Sequence, residues 1–381
     1  MHPLAASALS TTLLLACACS SPRHDSKLHA QDRAPERPPT LDPLQRARLD
    51  YLFDAADLVA RDWPVMHGAA PCVFLLDPSA QWGIHCDEPP GRDFARLPDR
   101  FRGQPLFVRS GGQFDSAGRP LSAAELLSRM PAAAHVEASG LRTSDLPPNH
   151  AWLLLGTLEG LIRYHQAFRQ SSTEEWLSVA IHEYLHTYQL RAPSFAAELG
   201  QIDRHQLDPQ PLRALYEQDA SYRAALDREY ACLVDAVRAP PSAAEAGLRS
   251  WFALYRRRRA DLAARADGAR LVHADSVFMY LEGVARYVES AFLVDRRQHP
   301  ARDIPGDAHF HRFENWAGGG YAQMPNRQLD PQYYYAIGFH LCLLLERIDR
   351  SWKRSIDREP DRLVGTIERV LLNRSRRGDA E

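Results

Sequence analysis

Apolar side chains recur along this chain at two different intervals, which divide it into two parts. A helical spacing over 44–61 gives way to short apolar or alternating runs separated by Pro, Gly and Asp, near 72–76, 82–86, 106–109 and 151–156. From residue 173 onward, apolar positions recur at helical intervals over much longer stretches. The pattern therefore predicts an α+β fold that is predominantly helical, with a small β-containing region ahead of a long helical part.

The second part should contain five helices. Ser172, followed three residues later by Glu175, forms a capping-box sequence that starts the first one, and Ser276 is the expected N-cap of the fourth. The predicted spans are 173–189, 212–238, 243–265, 276–295 and 334–348. The predicted organisation is thus an N-terminal α/β region at 44–160 and a helical region at 161–375.

The amino terminus has the features of an export signal. Residues 4–18 are apolar or small but too few to span a bilayer, and Leu14-Leu15-Ala16-Cys17 resembles the lipobox of bacterial lipoproteins. That resemblance implies removal of 1–16 and acylation of Cys17, with Cys19 as a competing site and plain secretion as the alternative. Residues 17–43 are polar and Pro-rich, which predicts a flexible tether. We therefore expect a protein of the bacterial cell envelope, anchored through lipid or secreted.

Composition and charge restrict the partners. The 381 residues are 45% hydrophobic and 25% charged, enough for an ample core, and the formal net charge of −2 gives no reason to propose nucleic acid. The arginine run at 256–259 indicates a solvated helix face.

The cysteines beyond the export region fall into two kinds. In an oxidising envelope Cys72 and Cys86 can bridge two neighbouring strands, whereas Cys232 and Cys342 lie in apolar helical patterns typical of buried free thiols.

The candidate chemistry lies in the first predicted helix of the second part. His182-Glu183-Tyr184-Leu185-His186 is an HExxH sequence, which places two imidazoles one turn apart with a carboxylate beside them. Such a set can hold a zinc ion through His182 and His186, while Glu183 acts as general base on a metal-activated water. Catalytic zinc needs a third protein ligand, and two glutamates compete for that role, Glu229 and Glu282.

A second motif favours Glu282. Leu281-Glu282-Gly283-Val284-Ala285 resembles the Asn-Glu-Gly-Phe-Ala signature of gluzincin peptidases, with Leu281 in place of the asparagine and two predicted helices between the motifs. The resemblance implies a zincin-like fold, zinc held by His182, His186 and Glu282, and a peptide or protein substrate. Glu229 then becomes a candidate acceptor for the free ring N–H of a ligand histidine.

Several other residues are candidates for the same site. The resemblance implies that a late tyrosine, Tyr334 or Tyr335, donates a hydrogen bond to the reaction's oxyanion, although core packing is the alternative. Arg286 and Glu289 follow Glu282 on one helix face, where exposed charges are the expected interpretation.

Three further segments have both a functional and an ordinary interpretation. Extended backbone at His309 and His311 would let both rings contact a metal or substrate. Residues 151–156 could form an edge strand that pairs with substrate or an ordinary buried strand, and Gly318-Gly319-Gly320 a mobile loop or a turn.

Overall fold

The computed structural model describes residues 40–63, 66, 70–90, 94–109, 113–114, 120–121, 127, 134–138, 151–192, 195, 210–299, 302–313, 331–358 and 361–378. The predicted export signal at 1–16, nearly all of the predicted tether with Cys17 and Cys19, and the Gly318–Gly320 run lie outside the described residues.

Helices dominate the described part of the chain. They are α1 (Pro43–Ala60), α2 (Leu158–Tyr164), α3 (Thr173–Arg191), α4 (Gln210–Gln218), α5 (Ala220–Arg238), α6 (Ala244–Ala263), α7 (Gly268–Gln298), α8 (Pro331–Ile348) and α9 (Leu363–Gly378). Together with the sheet they make a mixed α+β fold that is predominantly helical, as the hydrophobic pattern predicts.

One six-stranded sheet precedes most of the helices. Its strands are β1 (Val73–Leu76), β2 (Gln81–Ile84), β3 (Ala95–Phe101), β4 (Gln104–Arg109), β7 (Ala134–Ala138) and β8 (Ala151–Gly156), in the order β3-β4-β2-β1-β8-β7. The β1–β8 pair is parallel and the other pairs are antiparallel. Two short strands, β5 (Gln113–Phe114) and β6 (Pro120–Leu121), pair with each other.

Of the two interpretations of 151–156, the structure confirms the ordinary buried strand and excludes the edge strand. Strand β8 pairs with β1 on one side and β7 on the other, so its main-chain groups are already engaged. Its run of apolar residues is the pattern of a strand buried on both faces. The outer position belongs to β7, which pairs with β8 alone among the described strands.

Two predicted helix boundaries also differ from the structure. The predicted helix at 212–238 is two helices, because Asp219 leaves helical geometry and caps α5 by accepting hydrogen bonds from the backbone N–H groups of Ser221 and Tyr222. Helix α7 begins at Gly268, so Ser276 is not an N-cap. Its hydroxyl lies inside the helix and donates to the carbonyl oxygen of His273 at 3.1 Å.

Helix α3 is fixed at its amino end and against the sheet. The predicted capping box between Ser172 and Glu175 is present. The indole N–H of Trp176 donates to the carbonyl oxygen of Gly156 at 2.8 Å, which ties α3 to the end of β8. These contacts define the axial position of the helix that carries the HExxH sequence.

An ion cluster centred on a buried arginine joins α1 to the same end of α3. Arg48 is fully buried and pairs with Asp307 and Glu159, each at 2.7 Å. Asp307 also accepts a hydrogen bond from the hydroxyl of Thr173 at 2.8 Å. Because an unpaired buried guanidinium would be costly, this cluster fixes α1, α2 and the 302–313 segment around the start of α3.

Helices α7 and α8 approach each other through two glycines. A Cβ atom at Gly283 would overlap the backbone of Gly338, and one at Gly338 would overlap the carbonyl oxygen of Met279. The two helix backbones can therefore be in direct contact here only because both residues are glycines. Gly283 follows Glu282 directly, so this contact sets the position of the candidate third ligand.

The disulfide and the buried free thiol of Cys342 follow the sequence prediction, whereas Cys232 is less buried than predicted. Cys72 and Cys86 form a disulfide that joins the start of β1 to the end of β2, whereas Cys232 and Cys342 are free, the first half-buried and the second buried. Among the described residues, no helix has both the length and the apolar character needed to cross a lipid bilayer.

Replacing Gly283 with Ala should separate α7 from α8 and destabilise the protein by about 1–3 kcal/mol, since no flexible side chain can give way. Thermal or urea unfolding measures the change. Ser250→Ala, an exposed change in α6, is the control and should stay within about 0.5 kcal/mol of the parent. Equal stability of the two variants would show that the glycine contact is not tight.

Candidate metal centre

The HExxH side chains lie on a buried part of α3. His182 and His186 are each 6% exposed and Glu183 is 4% exposed, although all three are strongly polar. Residues four apart share a helix face, and the Nε2 atoms of the two histidines lie 3.1 Å apart. Burial of this polar group requires compensation from elsewhere in the fold.

Helix α7 brings Glu282 to the two histidines. Glu282 Oε2 lies 3.4 Å from His182 Nε2 and 3.6 Å from His186 Nε2. The side chain is only 2% exposed, and Oε2 accepts no hydrogen bond. Two sequence-distant helices thus bring together the three side chains that the motifs select, with ligand atoms within 4.8 Å of one another.

The far side of each imidazole is held by an acceptor. His186 Nδ1 lies 2.7 Å from Gln189 Oε1, and the amide nitrogen of Gln189 donates to the carbonyl oxygens of Tyr280 and Leu281. His182 Nδ1 lies 3.4 Å from Glu289 Oε2. Because a carboxylate and an amide oxygen can only accept, each ring carries its proton on Nδ1. In the neutral rings, both Nε2 atoms therefore face Glu282 with lone pairs.

Glu289 is itself held in place. It accepts hydrogen bonds from the hydroxyl of Ser178 on α3 and from the guanidinium of Arg286, the latter at 2.7 Å. Burial acts to raise the pKa of Glu289, but Arg286 and His182 outweigh it and lower the pKa to about 2. Glu289 is therefore an anion that orients the His182 ring, the arrangement typical of histidine ligands in metal proteins.

The centre requires a positive charge. Two imidazole lone pairs and a carboxylate oxygen face one another in a buried space, which is repulsive unless a cation lies among them. Burial acts to lower the pKa of His182, yet Glu282 and Glu289 raise it to about 9. Burial acts to raise the pKa of Glu282, but the two histidines hold it well below its usual range. A proton or a metal ion must therefore satisfy these groups.

The chemistry of the three donors fits zinc. Two neutral imidazole nitrogens and one carboxylate oxygen form the ligand set of a catalytic zinc site that keeps a position open for water. The hydrogen-bonded outer partners, Glu289 and Gln189, fit as well, since metal-ligating histidines donate their other N–H to such groups. Among the described residues, this is the one group of three His, Cys, Asp or Glu side chains close enough to share an ion.

Glu183 lies beside this centre without belonging to the ligand set. It is buried, and its negative charge contributes to the raised pKa of His182. That position is the one expected of a base adjacent to a metal site.

Glu229 does not contact a ligand histidine, so its predicted role as acceptor is wrong. Its Oε1 accepts a hydrogen bond from Arg258 at 2.7 Å, and Arg258 also pairs with Asp275 at 3.0 Å. All three are buried, in helices α5, α6 and α7. Glu289 takes the role instead, and the prediction that Glu289 is an exposed charge is also wrong.

The remaining candidates lie in other surroundings. Tyr334 is 1% exposed, with its ring 5.5 Å from that of Phe278, and its role as oxyanion donor stays a prediction. The side chain of Tyr335 lies outside the described residues. His309 lies in a turn, and His311 follows it in a segment without regular secondary structure. Their backbones bind Thr173 and Glu174 at the start of α3, and neither ring belongs to the group of three.

Comparison with protein-family models, with curated proteins and with solved structures finds no match to this chain. The site's geometry and chemistry therefore carry the functional argument.

Replacing Glu289 with Gln should weaken zinc binding about 10- to 100-fold, because the ligand His182 loses its anionic partner. Competition with a calibrated chelator measures the affinity. The control is Glu368→Gln, an exposed carboxylate on α9. Unchanged zinc affinity in Glu289→Gln would contradict the orienting role.

Glu229 predicts a pH dependence of stability. Burial raises its pKa from 4.5 to about 7, although Arg258 acts in the opposite direction. The folded protein therefore keeps this proton to higher pH than the unfolded chain, so its contribution is full below pH 4.5 and is lost as pH rises through about 7. Relative to Glu229→Gln, which cannot titrate, the parent should lose about 3 kcal/mol over this window. The free energy of unfolding is measured for the parent and for Glu229→Gln at several pH values between 4.5 and 7. A constant difference between the two proteins over this range would refute the raised pKa.

Proposed function

We propose that this protein is a zinc-dependent peptidase in which His182, His186 and Glu282 hold the metal and Glu183 is the general base. The observation that carries the proposal is the meeting of Glu282 with the HExxH histidines, at 3.4 and 3.6 Å, from a separate helix. Chance placement of a buried carboxylate between two buried lone pairs would be destabilising, so the arrangement argues for a bound cation.

The metal would supply Lewis acidity, which lowers the pKa of a water to about 7 and polarises a carbonyl group. The chain's own residues then divide the remaining work. Gln189 and Glu289 hold the two rings with Nδ1 protonated, so that both Nε2 lone pairs stay available. Glu183 takes a proton from the attacking water and returns it to the leaving amine.

The edge strand β7 supports a peptide substrate. It is the outermost described strand at its end of the sheet, next to β8 and in contact with α3. An extended peptide can add to such an edge through main-chain hydrogen bonds, independently of its side chains. Because β7 contacts the helix that carries the HExxH sequence, a peptide paired with β7 would lie beside that helix.

In this proposal, residues 161–375 form a zincin-like catalytic region of gluzincin type. The segment before residue 44 exports the protein and leaves it lipid-anchored at the bacterial cell envelope or secreted.

Replacing Glu183 with Gln should leave one zinc per chain and reduce hydrolysis of a peptide-library substrate at least about 100-fold, because the base is lost and the ligands are kept. Zinc content and cleavage are measured on the same preparation. Glu282→Gln should lose both zinc and activity, and Glu368→Gln neither.

Full activity of Glu183→Gln would refute the assigned base. Stoichiometric zinc in the parent protein with no cleavage of any peptide would refute peptidase function and favour a non-catalytic envelope protein that binds a peptide or cell-wall partner.

A further inference from the structure

A cleft of about 430 Å³ opens between helix α6 and helix α9. None of the metal-centre residues lines it. Its volume is in the range of small-molecule sites in proteins. The arginine run at 256–259 supplies two of its lining side chains, Arg256 and Arg259, and α9 supplies Arg369 and Arg376.

The lining has an excess of positive charge. Four arginines and two carboxylates, Asp361 and Glu368, border the cleft, which leaves two positive charges in a chain whose net charge is −2. Two of the four arginines have ion-pair partners: Arg259 pairs with Asp361 at 2.7 Å, and Arg369 pairs with Asp349, outside the lining, at 3.9 Å. Arg256 and Arg376 are exposed and have no ion pair among the described residues.

Hydrogen bonds join the two walls of the cleft. Arg249 of α6 donates to the carbonyl oxygen of Leu371 on α9 at 2.9 Å. Asp361, just before α9, has a φ of 51°, in the left-handed region that costs energy for a residue other than glycine. From that conformation its carboxylate accepts a hydrogen bond from Arg259 of α6 at 2.7 Å.

Apolar groups stand beside the unpaired arginines. Leu372 is 54% exposed, one of two large hydrophobic side chains so exposed among the described residues. The Phe252 ring also lines the cleft, with the Arg256 guanidinium 6.0 Å from its centroid. A ligand that covered these groups would bury apolar surface and leave the guanidinium groups of Arg256 and Arg376 free to bind an anion.

We propose that this cleft binds a phosphate ester with an apolar portion, the phosphate between Arg256 and Arg376 and the apolar portion against Phe252 and Leu372. Guanidinium groups match phosphate through paired hydrogen bonds. A phosphate monoester presents three terminal oxygens, so two guanidinium groups can each form paired hydrogen bonds with it. A monocarboxylate presents only two, which a single guanidinium already engages.

The test is titration of phenyl phosphate into the full zinc-loaded chain. The cleft variants carry the same zinc, so any phosphate binding at the metal centre is common to all of them. Isothermal titration calorimetry should show saturable binding, weakened at least about tenfold by Arg256→Ala and by Arg376→Ala. Arg257→Ala is the matched control. Arg257 is an exposed neighbour in the same run that does not line the cleft.

A second arm distinguishes a soluble ester from a lipid headgroup. Co-sedimentation with vesicles that contain phosphatidic acid, compared with phosphatidylcholine vesicles, is measured for the same three variants. Selective sedimentation that is lost in Arg256→Ala and Arg376→Ala supports the lipid source, and phenyl phosphate binding alone supports the soluble one. Absence of both, binding that Arg256→Ala and Arg376→Ala leave unchanged, or an equal loss in Arg257→Ala, would overturn the proposal.

Discussion

The rest of this structure depends on one constraint, the mutual repulsion of three buried electron-rich atoms. His182, His186 and Glu282 bring two ring nitrogens and a carboxylate oxygen within 4.8 Å of one another, away from water. Buried lone pairs and a charge of this kind are tolerated only with a compensating cation. The pKa of His182 is raised to about 9 for the same reason, because a proton on its ring would compensate the nearby carboxylates. A bound metal ion would compensate them in place of that proton.

The rest of the fold keeps these atoms in place against that repulsion. Helix α3 is fixed by Trp176 to the end of β8 and by the ion cluster of Arg48 at its start. Helix α7 is fixed by the backbone contact of Gly283 with Gly338 on α8. Glu289 then links the two motif helices, since it contacts both His182 and Ser178. These contacts position the three side chains from both motif helices, as a bound metal ion would require.

Sequence patterns predict correctly those features that depend on residues close together in the chain. The capping box at Ser172, the helical register of His182 and His186, and the disulfide of Cys72 and Cys86 all follow from short spacings. Glu282 required a second motif, because periodicity alone cannot distinguish it from Glu229. The role of Glu289 was missed for a similar reason. Its burial depends on how α7 crosses α3, which is a tertiary property, although its position two turns after Glu282 was visible. Strand β7 and helix α9 were not predicted at all.

X-ray absorption spectroscopy at the zinc edge of the purified protein tests the central claim most directly, because it counts imidazole and oxygen ligands without requiring a substrate. The account predicts two imidazole nitrogens at about 2.0–2.1 Å and oxygen ligands at about 2.0–2.2 Å, with no sulfur. In Glu282→Gln the zinc should be lost. A zinc-free parent protein, a sulfur ligand, or a Glu282→Gln variant that still holds one zinc per chain would contradict the assignment of this centre.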